Sequence, residues 1–188
     1  MLTVKPLLVT CLFAFSLFFA PSSLQAEKAS IKDLLVTNGQ TNLLLYARVV
    51  DSFNAEIEDA ILAGVPTTFT FLASLYKERS WLPDKRLKSM EIHHTIKYDN
   101  VKKTFSVSVD NQKTWETFPD FDSAKRMMAE VNAVPLEGLG ALTRNDYYWV
   151  KLKAKLDKVR LPLPLEYLFF FLPSWDFETD WRQERFRF

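Results

Sequence analysis

Apolar and polar residues alternate with a period of two in three consecutive segments in the middle of the chain, residues 67–77, 90–98 and 105–110. This period predicts β-strands with one face turned toward a core. Short connections such as Asp99-Asn100 predict that the three strands form an antiparallel meander. The predicted inward face comprises Phe69, Phe71, Ala73, Leu75, Ile92, His94, Ile96, Tyr98, Phe105, Val107 and Val109.

The region before the meander predicts a hairpin followed by a short helix. Residues 31–36 and 43–50 are rich in aliphatic side chains, and Asn38-Gly39 between them is a strong turn signal because both residues tolerate positive φ. Residues 55–63 follow Asn54, a good helix N-cap, and end before Gly64 and Pro66. Ile57 and Ile61 give this helix one buried stripe.

The region after the meander predicts a second helix and a further strand. Asp122 can cap a helix over residues 123–133, with Pro135 ending it; the predicted apolar stripe is Ala124, Met127, Met128 and Val131. Residues 148–156 alternate again, with Lys151, Lys153 and Lys155 on the outward side. Together these elements predict a mainly β fold, an antiparallel sheet or sandwich of roughly six strands with two or three short helices at its edges, an α+β arrangement being the alternative.

The first 26 residues predict a secretory signal peptide. Lys5 precedes an apolar run over residues 7–20, which is followed by small residues that end at Ala26. The run is shorter than the roughly 20 residues that a spanning helix needs, so a retained anchor is the weaker alternative. We therefore expect a periplasmic or secreted protein in which residues 27–188 form one β-rich domain.

The composition of the chain argues against several kinds of chemistry. The chain has 188 residues, a formal charge of +1 and one cysteine, Cys11, which lies inside the apolar run. The mature chain would then contain no disulfide and no cysteine nucleophile. With neither a basic excess nor a glycine-rich phosphate loop, the sequence predicts no nucleic-acid partner, and it indicates no cofactor.

Four motifs resemble an exported Gram-negative family known only as domain of unknown function 4390. They are residues 53–61, residues 94–99, the Leu-Pro-Leu-Pro-Leu run at 161–165 with the aromatic run at 167–171, and residues 175–181. The resemblance implies a periplasmic or envelope protein. Because some members resemble genes beside a nitrogen-regulation-type sensor kinase, it also implies a link to envelope sensing. The family carries no established activity, so it implies no site residues.

The segment around residues 163–172 is the strongest candidate for an interaction site. It is intensely apolar, with Glu166 as its one charge. Exposed apolar patches of this size mark interaction sites, whereas the structural alternative is that the segment closes the core. The candidate residues are Leu165, Tyr167, Phe169, Phe170, Phe171 and Trp175.

Groups of polar residues are weaker candidates for a functional site. His94 with Asp99 is one candidate pair for metal-dependent hydrolysis, although His93 and His94 point to opposite faces of a strand and cannot easily share a metal. A second group can hold calcium or form salt bridges with Arg182, Arg185 and Arg187; it comprises Asp176, Glu178 and Asp180. The lysines of residues 151–155 fit anionic lipid or polysaccharide, or a solvated strand edge.

The sequence therefore favours an exported, non-catalytic module that binds an envelope protein or an amphipathic ligand through its C-terminal apolar segment. Peripheral contact with a membrane, or docking beside a membrane sensor kinase, is compatible with this function. The alternative is a periplasmic metal-dependent hydrolase that uses His94 and Asp99.

Overall fold

The computed structural model of the chain describes residues 28–109, 114–157 and 177–188. Within these ranges it contains nine β-strands, two α-helices and one 3-10 helix. The elements in chain order are β1 (Ser30–Asn38), β2 (Asn42–Val50), α1 (Ala55–Leu62), β3 (Thr67–Lys77), β4 (Lys85–Asp99), β5 (Thr104–Val109), β6 (Glu116–Phe118), α2 (Phe121–Ala129), β7 (Glu130–Gly138), the 3-10 turn Leu139–Ala141, β8 (Tyr147–Leu156) and β9 (Arg182–Arg187).

The strands form two antiparallel sheets, which confirms the mainly β prediction. One sheet has the order β1-β2-β7, and the other has the order β6-β5-β4-β3-β8-β9. Fully buried side chains from both sheets, such as Leu45 of β2 and Phe71 of β3, belong to one apolar cluster that also includes Ile61 of α1 and Met128 of α2. The two sheets are therefore the layers around a common core.

The predicted meander is the centre of the larger sheet. β4 pairs with β3 on one side and with β5 on the other, and Phe71 lies opposite Ile92 while Ile96 lies opposite Val107. β8 joins the far side of β3, with Ala154 opposite Phe71. The period-two pattern therefore correctly predicts which faces of β3, β4, β5 and β8 point to the core.

The N-terminal hairpin is confirmed, but its turn differs from the expected one. Neither Asn38 nor Gly39 has positive φ, and the Gly39 N–H donates to the Asn42 carbonyl at 2.9 Å across a longer loop. A Cβ atom on Gly39 would lie 2.9 Å from the Asn42 carbonyl oxygen and 3.0 Å from the Leu44 side chain. Glycine is needed here for close approach rather than for a left-handed backbone.

The first helix follows the sequence prediction. The Asn54 side chain accepts from the Ile57 N–H at 2.9 Å, as an N-cap should. Ile57 and Ile61 are buried against the core, and Gly64 adopts a φ of +88° just beyond the helix. The positive φ explains why the helix ends at a glycine.

The second helix and the strand after it correct the sequence prediction. The helix begins at Phe121 with Asp120 as its N-cap, in place of Asp122, and ends at Ala129. The expected C-terminal part of the helix is strand β7, which contains Pro135 rather than ending before it. A proline is tolerated because β7 is an edge strand in the described sheet. Ala133 has a φ of 53°, beside an irregularity in the pairing with β2, and this irregularity obscures the alternation of β7.

Strand β9 was not predicted. It pairs along β8 from Tyr147↔Arg187 to Leu152↔Arg182. Its sequence, Arg-Gln-Glu-Arg-Phe-Arg, has one apolar residue, Phe186, so it lacks the pattern from which strands are recognised. The pairing with β8, rather than a local preference, makes this segment a strand.

Candidate functional site

A cavity of about 450 Å³ lies beside one edge of each sheet. Among the strands that the structure describes, β6 is one of the two edge strands of the larger sheet and β7 is one of the two edge strands of the smaller sheet. The cavity wall mixes apolar side chains with two carboxylates, an amide and one imidazole; it comprises His94, Val109, Glu116, Phe118, Met127, Glu130, Asn132, Ala133, Val134 and Pro135. Such a wall suits an amphipathic molecule better than a purely apolar one.

His94 lies at this cavity but also has a structural role. Its side chain is 2% exposed, and its Nδ1 lies 3.0 Å from the carbonyl oxygen of Met128. A carbonyl only accepts, so Nδ1 donates, and it satisfies a carbonyl in the last turn of α2 that has no partner within the helix. The His94 ring also packs on Phe71, with 4.8 Å between ring centres. His94 therefore joins β4 to the end of α2.

The structure does not bring His94 and Asp99 together. They lie five positions apart on one strand, which puts them on opposite faces and about 16 Å apart along it. Asp99 accepts hydrogen bonds from the backbone N–H groups of Val101 and Lys102, at 2.9 and 3.0 Å. The bond from Lys102, with that from Val101, lowers the pKa of Asp99. The carboxylate thus closes the β4–β5 turn.

His93 faces away from His94, as predicted from strand geometry. Its Nδ1 lies 2.8 Å from the Thr70 hydroxyl on β3, and the Asp157 carboxylate is 3.9 Å away. Among the residues that the structure describes, no group of three or more His, Cys, Asp or Glu side chains is arranged to hold a metal ion.

The C-terminal acidic residues form ion pairs with lysines. Asp176 lies outside the described residues. Glu178 pairs with Lys153, whose hydrogen bond and charge lower the pKa of Glu178. Asp180 pairs with Lys28 at 3.1 Å. The expected partners were the C-terminal arginines, but Arg185 pairs with Glu78 at 2.7 Å instead.

The lysines of β8 point away from the core, as predicted, but they do not form a free row. Besides the Lys153–Glu178 pair, the Lys151 ammonium lies 4.5 Å from the centre of the Trp181 ring and 5.3 Å from that of Tyr76. Tyr76 in turn stacks on Trp149, with ring centres 4.1 Å apart. Cation–π contacts and one ion pair engage two of the three predicted lysines.

The described chain stops at Asp157, after β8, and resumes at Phe177 beside the same strand. The Leu156 N–H donates to the Phe177 carbonyl at 3.0 Å, and Lys155 forms an isolated bridge with Glu178. Lys28, the first described residue, pairs with Asp180 nearby. We call this part of the domain, around Lys28, Asp157 and Phe177, the exit end.

Buried contacts hold the exit end in place from Phe177 onward. Phe177 packs on Phe69 with ring centres 4.7 Å apart, and Phe69 also contacts Phe53 at 5.0 Å. Thr179 is 1% exposed; its hydroxyl accepts from the Ala154 N–H at 3.0 Å, and its own N–H donates to the Ala154 carbonyl at 2.9 Å. Residues 178–182 contain one residue more than the part of β8 that they pair with. The two bonds of Thr179 lie at this irregularity.

The residues of the predicted interaction segment lie outside the described part of the chain: Leu165, Tyr167, Phe169, Phe170, Phe171 and Trp175. The cavity does not follow from the sequence pattern, because that pattern predicts the end of a helix where the structure has the first part of β7. Trp81 was also overlooked, although an aromatic residue beside Leu82 and Pro83 in a basic stretch is a visible signal.

This geometry defines a two-sheet antiparallel β-domain. The chain belongs to the family described as Domain of unknown function (DUF4390), whose model matches residues 26–185. No curated protein and no solved structure has significant similarity to it. In the described ranges, no helix has the length and apolar character needed to cross a membrane.

Proposed function

We propose that this protein is an exported, non-catalytic module of the bacterial envelope that binds an envelope protein through residues 158–176. The chain between Asp157 and Phe177 is the most apolar stretch beyond the N-terminal run, and it contains Phe169, Phe170 and Phe171 in succession. A stretch of this composition binds a partner when it is exposed and fills a core when it is buried. The proposal commits to the first of these two roles.

The observation that carries the proposal is the geometry of the exit end. Leu156 and Phe177 are joined by a backbone hydrogen bond, so the apolar stretch begins and ends at neighbouring points of one sheet. Thr179 and the Phe69–Phe177 contact hold these two points firmly. A rigid base of this kind reduces the ordering cost that an interacting segment pays on binding.

The position of Lys28 adds a second argument. Its ion pair with Asp180 means that the apolar N-terminal residues join the domain at the exit end as well. If residues 1–26 are retained as an anchor, this end is the one nearest the membrane. If they are removed, the new N-terminus lies beside the binding segment. Retention favours a partner that is itself associated with the membrane, such as a sensor kinase.

Site-specific photo-crosslinking in envelopes of the native host tests the proposal. A photoreactive residue at Phe169 should capture a discrete protein, to be identified by mass spectrometry. The matched control is Val101, which is 92% exposed in the β4–β5 turn and carries no proposed role. Capture of the same products at both positions, or of none at Phe169, would contradict the proposal.

A role beside a sensor kinase has its own test. Deletion of the gene should change the output of the kinase in the native host, and the wild-type chain should restore it. A chain with Phe169, Phe170 and Phe171 changed to serine should be exported normally and fail to restore the output. An unchanged output in the deletion strain would remove the sensor kinase as the partner.

The cavity lined by His94 supports a second candidate, the binding of a small amphipathic ligand. Its wall combines Phe118 and Met127 with the carboxylates of Glu116 and Glu130, which favours a ligand with a cationic head and an apolar body. Native mass spectrometry of protein purified from the host envelope would detect such a ligand. Glu130→Gln should weaken its retention, whereas Glu56→Gln on the exposed side of α1 should not.

A further inference from the structure

The loop between β3 and β4, residues 78–84, exposes two large apolar side chains. Trp81 is 96% exposed and Leu82 is 63% exposed. Soluble proteins tolerate single exposed apolar residues, but an adjacent pair with an almost fully solvated indole forgoes a substantial burial energy. We call this loop the tip. It lies at the opposite end of the larger sheet from the exit end, because Lys77 pairs with Tyr148 while Phe69 pairs with Leu156.

Both acidic residues of the tip hold it to the neighbouring strands. Glu78 accepts two hydrogen bonds from Arg185 of β9, at 2.7 and 3.0 Å, and its backbone N–H donates to Tyr147. Asp84 accepts from the Arg79 N–H at 3.1 Å and from the Trp149 indole N–H at 2.8 Å. The base of the tip is therefore fixed to β8 and β9.

The basic residues around the tip have no such partners. Arg79, Lys85, Arg86 and Lys88 are exposed, and none of them forms an ion pair with a residue that the structure describes. The first half of β4 has β3 as its only strand neighbour in the described ranges, since the pairing with β5 begins at His94. Four cations without an ion pair to a described residue thus lie within seven positions of Trp81 along the chain.

The ordinary explanation covers only part of this arrangement. Lysines on a free strand edge prevent edge-to-edge pairing, and this accounts for Lys85 and Lys88. It does not account for Trp81 and Leu82, which themselves promote association. Exposed apolar side chains with several cations close by in the sequence are typical of segments that lie in the interface of a bilayer with anionic lipids.

We propose that the tip inserts Trp81 and Leu82 into the headgroup region of an anionic bilayer, while Arg79, Lys85, Arg86 and Lys88 contact lipid phosphates. A protruding loop suits a flat, deformable surface, whereas a protein partner requires a matching groove. Indole rings favour the membrane interface because they present an apolar body and one N–H donor. This inference rests on the tip alone and is independent of the proposal for residues 158–176.

Vesicle sedimentation tests the inference directly. Residues 27–188 are used, because the apolar N-terminal run would itself partition into lipid. The protein should bind vesicles that contain phosphatidylglycerol and should bind pure phosphatidylcholine vesicles at least tenfold more weakly. Binding to the anionic vesicles should also fall as salt is raised. Equal binding to both vesicle types would overturn the inference.

Variants separate the tip from the rest of the surface. W81S/L82S should reduce binding to anionic vesicles at least tenfold with an unchanged circular dichroism spectrum. R86E/K88E should reduce it by about fivefold or more for each basic residue removed. The charge-matched control K102E/K103E, in the β4–β5 turn at the other end of β4, should reduce it less than R86E/K88E does. Wild-type binding by W81S/L82S, or an equal loss in the control, would contradict the inference.

Two further measurements test whether the apolar residues 169–171 or charge alone account for the vesicle binding. Serine at Phe169, Phe170 and Phe171 should leave binding to anionic vesicles unchanged; a loss there would assign membrane contact to the exit end and overturn the inference. A soluble polyanion such as heparin should be bound weakly, and W81S/L82S should bind it as the wild type does, because heparin offers no apolar layer for the indole to enter. If heparin binds tightly and W81S/L82S retains that binding and the vesicle binding, the tip recognises charge without lipid, and the inference fails.

Discussion

The two ends of the larger sheet are held by different forces. At the tip, polar contacts from Glu78 and Asp84 fix the loop, and the large apolar side chain of Trp81 faces solvent. At the exit end, the buried contact between Phe69 and Phe177 fixes the chain, and the Thr179 hydroxyl accepts a hydrogen bond from the Ala154 N–H. The tip therefore depends on exposed electrostatic contacts, whereas the exit end depends on burial of apolar side chains.

The largest expected effect comes from breaking the apolar contacts of the exit end. Phe69→Ala removes a fully buried ring that contacts Phe53 and Phe177. We expect the free energy of unfolding to fall by about 3–5 kcal/mol, because both the transfer and the cavity terms are lost. Urea denaturation measures the change. A loss below that of a typical surface substitution would mean that this cluster does not hold the exit end.

The next effect comes from the buried polar contact beside it. Thr179→Val keeps the shape of the side chain but leaves the Ala154 N–H without its acceptor. We expect a loss of about 1–3 kcal/mol, the cost of an unsatisfied buried donor. Thr179→Ser is the matched control and should retain most of the stability. Equal losses in the two variants would show that packing of the methyl group, rather than the hydrogen bond, matters.

A smaller effect is expected at the tip. Asp84→Ala removes the acceptor for the Arg79 N–H and for the Trp149 indole. Because both groups regain water, we expect a loss of only about 1 kcal/mol in global stability. Hydrogen exchange should show faster exchange at residues 79–85 and unchanged protection at Leu156. Faster exchange at both ends would contradict the separation of the two anchoring modes.

The smallest effect is a shift in pKa at the exit end. The hydrogen bond and charge of Lys153 lower the pKa of Glu178, so this ion pair stabilises the fold above the ordinary glutamate value of about 4.3 and ceases to do so as the pH falls through the folded value. Lys153→Gln should raise the pKa of Glu178 in a carboxyl NMR titration. Lys102→Gln is the control and should leave it unchanged. An unshifted pKa in Lys153→Gln would show that the pair does not persist in solution.

The fold was predictable wherever a strand has one buried and one exposed face. β3, β4, β5 and β8 follow the period-two rule, and α1 follows from its cap at Asn54. The rule failed at β7 and β9, which are edge strands: Pro135 and Ala133 interrupt one pattern, and β9 has almost no apolar residues. Their identity comes from pairing with β2 and β8, which a local pattern does not contain.

The candidate sites were predictable only in part. The outward direction of Lys153 and the opposite faces of His93 and His94 were predictable, because strand geometry determines both. The hydrogen bond from His94 to the Met128 carbonyl was not predictable from the sequence. Neither were the ion pairs that Lys153 forms with Glu178 and Arg185 forms with Glu78. These contacts join residues that are far apart in sequence, so they follow from the sheet order.

We propose that residues 158–176 bind a partner and are not part of the core. Because Leu156 and Phe177 are already joined by a backbone hydrogen bond, a short Gly-Ser turn can replace this segment between Asp157 and Phe177. Urea denaturation of the shortened protein is the most direct test. We predict cooperative unfolding with a free energy within about 1 kcal/mol of the wild type, the scale of the change in loop-closure entropy. Loss of cooperative folding, or destabilisation well beyond that, would show that these aromatic residues belong to the core and would contradict the claim.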